Sequence, residues 1–241
     1  MKIVIIGQGN VATSLRAAFG KKGIEAPMLN SREVALRHIE LPEADVYIYA
    51  VKDDALREVV EAVRTQPRTI HVHTSGTMPV TVFGEDKPNC GIMYPFQTFS
   101  KLQPIDDFSS IPLFIEARGI DNISAIYTLA LTLSPNVYEA EQHERERLHV
   151  AGVFANNFSN AMYSMAAEVL RGTSIPFKVL LPLIDQTAAK VHTLSPEQAQ
   201  SGPAARDDEQ VIEHHLELLK GFDFPEATYR LLTDYIRCMR L

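Results

Sequence analysis

The first part of the chain alternates short apolar runs with segments of helical periodicity. Ile3–Ile6 is wholly apolar, which is typical of a strand covered on both faces, and Asn10–Lys22 after it has the spacing of a helix. Such alternation predicts a parallel sheet with helices on its faces. Further strands are expected at 24–29, 46–51 and 69–73, with a helix at 53–65.

Strand signals continue to about residue 139 and then end. Two strands are predicted at Gly91–Tyr94 and Pro112–Ala117, and a helix at Asn122–Leu133 leads to a short strand at Asn136–Tyr138. The rest has helical periodicity broken by Pro and Gly, with helices expected at 142–170, 177–194, 207–219 and 225–240. The predicted fold class is α/β, a doubly wound sheet over 1–139 followed by an all-α C-terminal domain over 140–241.

Composition and charge exclude several classes of protein. With 241 residues, 46% hydrophobic and 22% charged, the chain has the composition of a globular protein of one or two domains. The 30 acidic side chains outnumber the 23 basic ones, so no overall positive field attracts nucleic acid or anionic lipid, and neither is expected as a partner. Two cysteines are too few for a disulfide framework or a zinc cluster, so we expect a cytoplasmic protein without a metal.

A glycine-rich turn follows the first predicted strand and opens the first predicted helix. Its residues are Gly7, Gln8, Gly9, Asn10, Val11 and Ala12. Gly7 permits the tight turn, Gly9 lets a pyrophosphate approach the backbone, and the small Ala12 allows helix and strand to pack closely. The motif predicts a dinucleotide-binding site in a Rossmann-like domain; the alternative is a glycine-rich turn that binds nothing.

The end of the second predicted strand indicates which dinucleotide binds. An NAD site would place Asp or Glu there to hold the ribose 2′-hydroxyl, but this chain has Asn30, Ser31 and Arg32. The Arg32 guanidinium can pair with a 2′-phosphate, with hydrogen bonds added by Ser31 and Asn30. We therefore predict NADP as the cofactor. The alternative is that Arg32 is a solvated residue of the next helix.

Two more strand ends are expected beside the cofactor, because ligands of doubly wound sheets bind at the carboxyl ends of the strands. Ala50, Val51 and Lys52 end the third strand, and Lys52 either approaches a phosphate or is solvated. Asp53 is expected to cap the following helix. The fourth strand ends in His71-Val72-His73-Thr74-Ser75-Gly76.

The fourth strand end is expected near the nicotinamide. Thr74 is a candidate cofactor ligand, while His73 and Ser75 are candidate catalytic residues that position a substrate carbonyl or donate a proton. His71 and His73 share one face of the strand. For His73 the alternative is a hydrogen-bonded core residue.

A polar but uncharged stripe is expected on the first helix of the second domain. At 100° per residue it contains His149, Gly152, Val153, Asn156, Asn160 and Tyr163. The stripe predicts a partly enclosed cleft, with His149 as proton donor and Asn156 as a hydrogen-bonding group. The alternative is a set of interhelical hydrogen bonds or a dimer contact. The uncharged stretch 148–167 is expected to be a buried helix and not a membrane span.

Several motifs together resemble a family of NADP oxidoreductases that joins a Rossmann-like domain to a helical domain of the DUF2520 type. The motifs are Gly7–Ala12, His73–Gly76, Pro95–Ser100, His149–Asn160 and Ser201–Asp207. The chain is more distantly similar to pyrroline-5-carboxylate reductase, the deazaflavin-dependent NADP reductases and the 6-phosphogluconate or β-hydroxyacid dehydrogenases. The resemblance implies an NADP-binding N-terminal domain, a helical domain that makes a homodimer, and an active site between the domains.

The chain departs from these families at three positions. The β-hydroxyacid dehydrogenases have a catalytic lysine in the stretch that corresponds to Gly152–Asn156, and this chain has none there, so their chemistry is not expected. Tyr94 stands where the resembling family usually has His, and Asp208 stands where it usually has Gly. Neither change touches the cofactor motif.

The sequence thus predicts an NADP(H)-dependent oxidoreductase that transfers a hydride to or from a small-molecule substrate. An alternative from another class is a catalytically silent nucleotide-binding protein with a regulatory or scaffold role, since no catalytic Lys or Tyr-x-x-x-Lys constellation is recognisable. A third interpretation, a methyltransferase that uses S-adenosylmethionine, is less favoured because it has no use for Arg32.

Overall fold

The computed structural model describes residues 1–64 and 67–239. The chain divides into two compact units, Met1–Asn156 and Asn157–Leu241. The predicted boundary at 139/140 marks the end of the last strand, whereas compactness groups the helix at Gln142–Gly152 with the sheet. The reason is packing, because Arg145 of that helix is fully buried and pairs with Glu116 of the sheet.

The first unit is built on a seven-stranded sheet in the order β2-β1-β3-β4-β5-β6-β7. Its strands are β1 Ile3–Ile6, β2 Met28–Leu29, β3 Val46–Tyr49, β4 Ile70–His73, β5 Cys90–Pro95, β6 Leu113–Ala117 and β7 Val137–Glu139. The strands β1 to β5 pair in parallel, as the sequence predicts, whereas β6 runs antiparallel to β5. The order reverses between β1 and β3, which is where ligands of doubly wound sheets bind.

Helices cover both faces of the sheet. They are α1 Asn10–Lys21, α2 Ser31–Ala35, α3 Asp53–Ala62, α4 Ile120–Leu131 and α5 Gln142–Gly152. Apolar side chains of α1 and α4 form one core cluster with the sheet, and those of α2, α3 and the 3-10 turn Val80–Phe83 form another on the opposite face. The doubly wound prediction is therefore confirmed.

Some predicted bounds in the first unit are wrong. The second strand starts at Met28 and not at Ile24, because the Ile24 N–H bonds to the Phe19 carbonyl and so closes the end of α1. The helix α3 ends at Ala62, whereas the prediction extends to residue 65. Thr65 lies outside the described residues.

The rest of the chain is helical, as predicted. After α5 come a π-helical turn at Val153–Phe158, α6 Ser159–Val169, a 3-10 turn at Phe177–Leu180, α7 Leu181–Lys190, α8 Pro196–Ala199, α9 Glu209–Leu218 and α10 Asp223–Cys238. The Asp208 side chain caps α9 by accepting from the Val211 N–H. The predicted end of the last helix at residue 240 lies outside the described residues.

The predicted single helix over 142–170 is interrupted. The π-helical turn at Val153–Phe158 has a wider period than an α-helix, so residues after it are rotated out of the predicted register. The polar stripe that was to join His149 with Asn160 and Tyr163 on one face is therefore wrong beyond Gly152. The expected burial is wrong as well, because no residue of the π-helical turn or of α6 is buried.

Within the described residues no helix is long and apolar enough to cross a membrane.

Candidate active site

The glycine-rich turn joins β1 to α1 next to the point where the strand order reverses. Gly7 has φ +128°, and a Cβ there would lie 2.2 Å from the Ala50 carbonyl oxygen, so the protein itself requires this glycine. At Gly9 a Cβ would meet only the Ala50 oxygen, at 3.9 Å. Contacts within the protein therefore do not explain Gly9, whereas a ligand close to the backbone would.

The amino end of α1 is open to an anion. Gly9 precedes the helix and supplies no side-chain cap, and the first turn has no acidic residue. The N–H groups of this turn and the helix dipole therefore favour a negative group there. Ala12 is fully buried against β1, as the motif requires, and Gln8 is exposed. Asn10 has a second contact, since its Oδ1 accepts from the Lys101 N–H at 3.2 Å and ties the loop after β5 to this turn.

The end of β2 leads into α2, and its polar residues divide into two roles. Asn30 caps the helix, because its Oδ1 accepts from the Arg32 N–H at 3.0 Å. Ser31 is the first residue of α2 and is half-buried, while the Arg32 side chain is exposed. Within the described part of the chain no ion pair occupies the Arg32 guanidinium, which leaves it able to bind a phosphate.

The end of β3 differs from the prediction at one residue. Ala50 is buried beside Gly7, Val51 is half-buried and Lys52 is exposed. The residue that precedes α3 is Lys52, so Asp53 is the first residue inside the helix and does not cap it. The predicted capping role of Asp53 is therefore wrong. Its carboxylate instead accepts a hydrogen bond from the Thr77 hydroxyl at 2.5 Å and connects α3 to the loop after β4.

The loop after β4 is held by its own hydroxyl groups. The Ser75 Oγ accepts from the backbone N–H groups of Thr77 and Met78 at 3.1 and 3.0 Å. Thr74 is buried, and its N–H donates to the Tyr49 carbonyl at 3.3 Å. Ser75 therefore shapes the turn around Gly76, whatever else its hydroxyl does.

His73 lies in the core of the first unit. Its ring is fully buried and stacks on Phe83 with centroids 5.6 Å apart, and its Nδ1 accepts from the Ser75 N–H at 3.2 Å. Burial lowers the pKa of His73 to about 4, so the imidazole is neutral near pH 7. These surroundings match the alternative in which His73 is a hydrogen-bonded core residue. They do not suit a proton donor at an open edge of the sheet.

A tyrosine and a histidine meet beside this loop. The Tyr94 hydroxyl, near the end of β5, lies 3.0 Å from Nδ1 of His149 on α5. A Cβ at Gly76 would lie 2.8 Å from the Tyr94 ring and 3.1 Å from that nitrogen. Burial raises the pKa of Tyr94 to about 12, so the phenol keeps its proton. Gly76, Tyr94 and His149 therefore form one cluster at the carboxyl edge of the sheet.

Sequence reasoning missed Tyr94 as a site residue. The available signal was its position directly before Pro95, at the carboxyl end of the strand next to β4. Asn156, which the sequence placed in the same site as His149, lies in the π-helical turn seven residues later and is exposed.

The helix that carries His149 is fixed to the sheet one turn earlier. The buried guanidinium of Arg145 forms an ion pair with Glu116 on β6 and donates to the Met78 carbonyl at 3.0 Å. At the other end of α5 a Cβ on Gly152 would lie 2.7 Å from the Phe96 ring, so glycine lets this aromatic ring pack on the helix. These contacts determine the position of the His149 ring relative to β5.

The arrangement offers hydrogen-bond donors and a helix amino end that favours an anion. Among the described residues no group of three or more His, Cys, Asp or Glu side chains could hold a metal ion. The cluster at Gly76 offers two possible proton donors, the phenol of Tyr94 and the imidazole of His149.

Comparison with protein families finds a match to DUF2520, a domain of unknown function, over residues 111–236. No protein with a curated description matches the chain. A solved structure from Bacteroides fragilis, whose name assigns it provisionally as an NADP oxidoreductase, is 39% identical, with 98% of this chain and 97% of that one covered and a TM-score of 0.88.

Two more distant structures are similar in fold alone. A protein of Thermotoga maritima is 19% identical, with 98% and 96% of the two chains covered and a TM-score of 0.71. The imine reductase of Myxococcus stipitatus in complex with NADP+ is 15% identical, with 98% and 93% covered and a TM-score of 0.58. The Rossmann-like class of the sheet agrees with these likenesses.

Proposed function

Because the chain belongs to the DUF2520 family, and on the strength of its strand-end geometry, we propose that it is an NADP(H)-dependent oxidoreductase. It transfers a hydride between the dinucleotide and a small-molecule substrate. The observation that carries this proposal is Gly9, a glycine at the amino end of α1 that no contact within the protein requires. A pyrophosphate that lies close to the backbone would explain why this position is a glycine.

The residues at the strand ends fit the cofactor. The first-turn N–H groups of α1, over Gly9–Ala12, would hold the pyrophosphate, and Arg32 would hold the 2′-phosphate. The turn at Ala50–Lys52 and Thr74 would line the path between the adenosine and the nicotinamide. NADPH supplies the hydride when bound, so the protein must orient the acceptor and provide a proton.

The two named relatives support the proposed cofactor to different degrees. The Bacteroides fragilis protein is similar over nearly its whole length, and its name specifies NADP. The imine reductase binds NADP+ in its own structure, and its likeness supports the fold that such a cofactor needs. His149, Ser75 and Asn156 stay predictions as the groups that contact the substrate, as does the position of the substrate between the two predicted domains.

A homodimer through the helical domain is part of the proposal. Large apolar side chains are exposed along the helical part of the chain, among them Phe154, Leu183 and Leu231 with 65%, 65% and 69% of their surface accessible. Exposed apolar surface on this scale is typical of a protein interface. A second copy of the chain is the partner that the resemblance implies.

The Arg32→Ala variant tests the choice of cofactor. Removing the guanidinium should weaken NADPH binding by about 1.5 to 3 kcal/mol, roughly 10- to 150-fold in Kd, and should leave NADH binding nearly unchanged. Fluorescence or calorimetric titration with each nucleotide measures both. Arg57→Ala, which removes an exposed guanidinium from α3, is the matched control and should bind both nucleotides as the unmodified protein does. Equal losses for NADPH and NADH, or no binding of either at millimolar concentration, would contradict the proposal.

A further inference from the structure

The ends of β4 and β5 bring a phenol to the loop expected near the nicotinamide. His73 of β4 pairs with Ile92 of β5, and Tyr94 follows two residues later on the same face of the sheet. Gly76 lies directly against the Tyr94 ring, since a Cβ there would approach it to 2.8 Å. Tyr94 is half-buried, so part of this side chain is open at this edge of the sheet.

The contact between Tyr94 and His149 can run in two directions. If Nδ1–H of His149 donates to Oη, the hydrogen of the phenol is free to point at a substrate atom. If Oη–H donates to Nδ1, the phenol has no proton to offer and only Nε2 of His149 can act. The first direction makes Tyr94 the acid and gives His149 a positioning role.

The surroundings of Tyr94 favour the neutral phenol. On the neighbouring elements, His149 of α5 contacts the phenol, Arg145 of α5 and His73 of β4 are buried, and Glu116 of β6 pairs with Arg145. Arg145 is paired with Glu116, and burial keeps His73 neutral because it lowers the pKa of that ring to about 4. Burial raises the pKa of Tyr94 to about 12, so the phenol holds its proton until a more basic atom forms beside it.

We propose that Tyr94 is the catalytic proton donor of the reduction and that His149 positions it; this inference rests on the proposed function. The hydride brings two electrons to the acceptor carbon as the π bond of C=O or C=N breaks. The Oη–H bond of Tyr94 breaks and its proton moves to the oxygen or nitrogen, which completes an alcohol or an amine. The hydrogen bond from Nδ1–H of His149 stabilises the phenolate until water returns a proton to Oη.

The same geometry points to the substrate class. Phe96 lies beside Tyr94 with ring centroids 6.0 Å apart and packs on Gly152, so it offers an apolar contact to the group next to the reacting bond. The buried Arg145 guanidinium is already paired with Glu116 and bonded to backbone carbonyl groups, so it does not bind a carboxylate of the substrate. A neutral ketone, aldehyde or imine with an apolar substituent is the acceptor that this cluster recognises.

The decisive measurement is the carbonyl stretch of a bound ketone. We would record isotope-edited infrared spectra of the protein with NADP+ and carbonyl-¹³C cyclohexanone, a pair in which both partners are oxidised and no reaction occurs. A hydrogen bond from Tyr94 should shift the stretch to lower frequency. The shift should be lost in Tyr94→Phe, be reduced but present in His149→Ala, and be unchanged in Tyr127→Phe, which alters an exposed tyrosine on α4.

Turnover supplies the second readout. With NADPH and 2-methyl-1-pyrroline or cyclohexanone, Tyr94→Phe should slow hydride transfer by about 10² to 10⁴-fold, while the Kd for NADPH stays within about twofold of the unmodified value. Thermal unfolding verifies that each variant is folded. We expect Tyr94→Phe to fold because phenylalanine has the shape of tyrosine without its hydroxyl.

The outcomes distinguish a failure of the role proposed for Tyr94 from a failure of the proposed function. Loss of the shift in His149→Ala with its retention in Tyr94→Phe would assign the proton to His149 and overturn the inference. If the protein binds NADPH but no ketone or imine probe shows a shift that depends on Tyr94, the role of Tyr94 as proton donor is overturned. The proposed function then still stands. Failure to bind NADPH would instead overturn the proposed function.

Discussion

Two glycines of one motif have different physical origins. Gly7 has a backbone angle that other residues rarely adopt, and the Ala50 carbonyl fills the space where its Cβ would lie. Gly9 has an ordinary φ of −79° and open space around it. The first therefore serves the fold, and we propose that the second serves a ligand.

Alanine substitutions should separate these two roles. Gly7→Ala should lower the free energy of unfolding by about 1 to 3 kcal/mol from the unfavourable φ alone, and the clash with Ala50 should add to this loss. Gly9→Ala should change that free energy by less than about 0.5 kcal/mol, and should weaken NADPH by about 1 kcal/mol because the backbone is less accessible. Urea unfolding and nucleotide titration measure the two effects. A strongly destabilised Gly9→Ala with normal NADPH affinity would refute the assignment.

At the residue scale, the sequence predicted the roles that depend on a local pattern. Gly7, Gly9 and Arg32 were predicted as cofactor-site residues because each occupies a fixed place relative to a strand end. Tyr94 was not found, because its partner His149 lies 55 residues away and only the packing of α5 on the sheet brings them together.

At the scale of single elements, β4 carries two buried imidazoles. The His71 ring accepts or donates a hydrogen bond with the Tyr49 hydroxyl at 2.8 Å, and the His73 ring stacks on Phe83. Burial, the largest cause in both cases, lowers the pKa of each ring from 6.5 to about 4. The folded protein therefore holds both rings neutral where an unfolded chain would bind protons.

This difference makes stability depend on pH. Above about pH 6.5 both rings are neutral in the folded and unfolded chain and contribute no pH dependence; as the pH falls toward 4, only the unfolded chain gains protons. The free energy of unfolding should therefore fall by up to about 3 kcal/mol for each ring over that range. Urea unfolding at a series of pH values measures it.

The matched variants identify the source of the slope. His73→Phe should show a weaker pH dependence than the unmodified protein, because one buried titrating ring is gone, whereas His38→Gln alters an exposed histidine and should retain the full slope. An unchanged slope in His73→Phe would mean that other groups cause it.

The helix after β7 shows where periodicity fails as a predictor. Helical periodicity predicts one helix over 142–170, and the chain is indeed helical there. The π-helical turn at Val153–Phe158 changes the register within it. Residue spacing cannot reveal such a turn, because its hydrogen bonds differ from those of an α-helix by a single position.

For the whole molecule, the two units differ in how much apolar surface they bury. The first unit has two core clusters against its sheet. Among the described residues of the second unit, the buried apolar residues are Ala204, Ile212, Leu219 and Pro225. Such a small core stabilises a helical unit poorly, and this supports the proposed homodimer.

Light scattering after size exclusion should give a particle of twice the mass of one chain. The double variant Leu183→Glu/Leu231→Glu places charges on the exposed apolar helices and should shift the protein toward the mass of one chain. The matched control is Leu102→Glu/Ile120→Glu, which charges exposed apolar residues of the first unit and should remain a dimer. A single-chain mass for the unmodified protein would contradict the proposal.

The sequence by itself determined the parallel β-α alternation, the glycine turn and the basic residue after β2, because each is a property of neighbouring residues. Only the tertiary structure decided that His73 is buried, that Asp53 binds Thr77, and that Tyr94 meets His149 beside Gly76. These outcomes depend on how helices and strands distant in the chain pack together, and local spacing carries no information about the atoms that will surround a side chain.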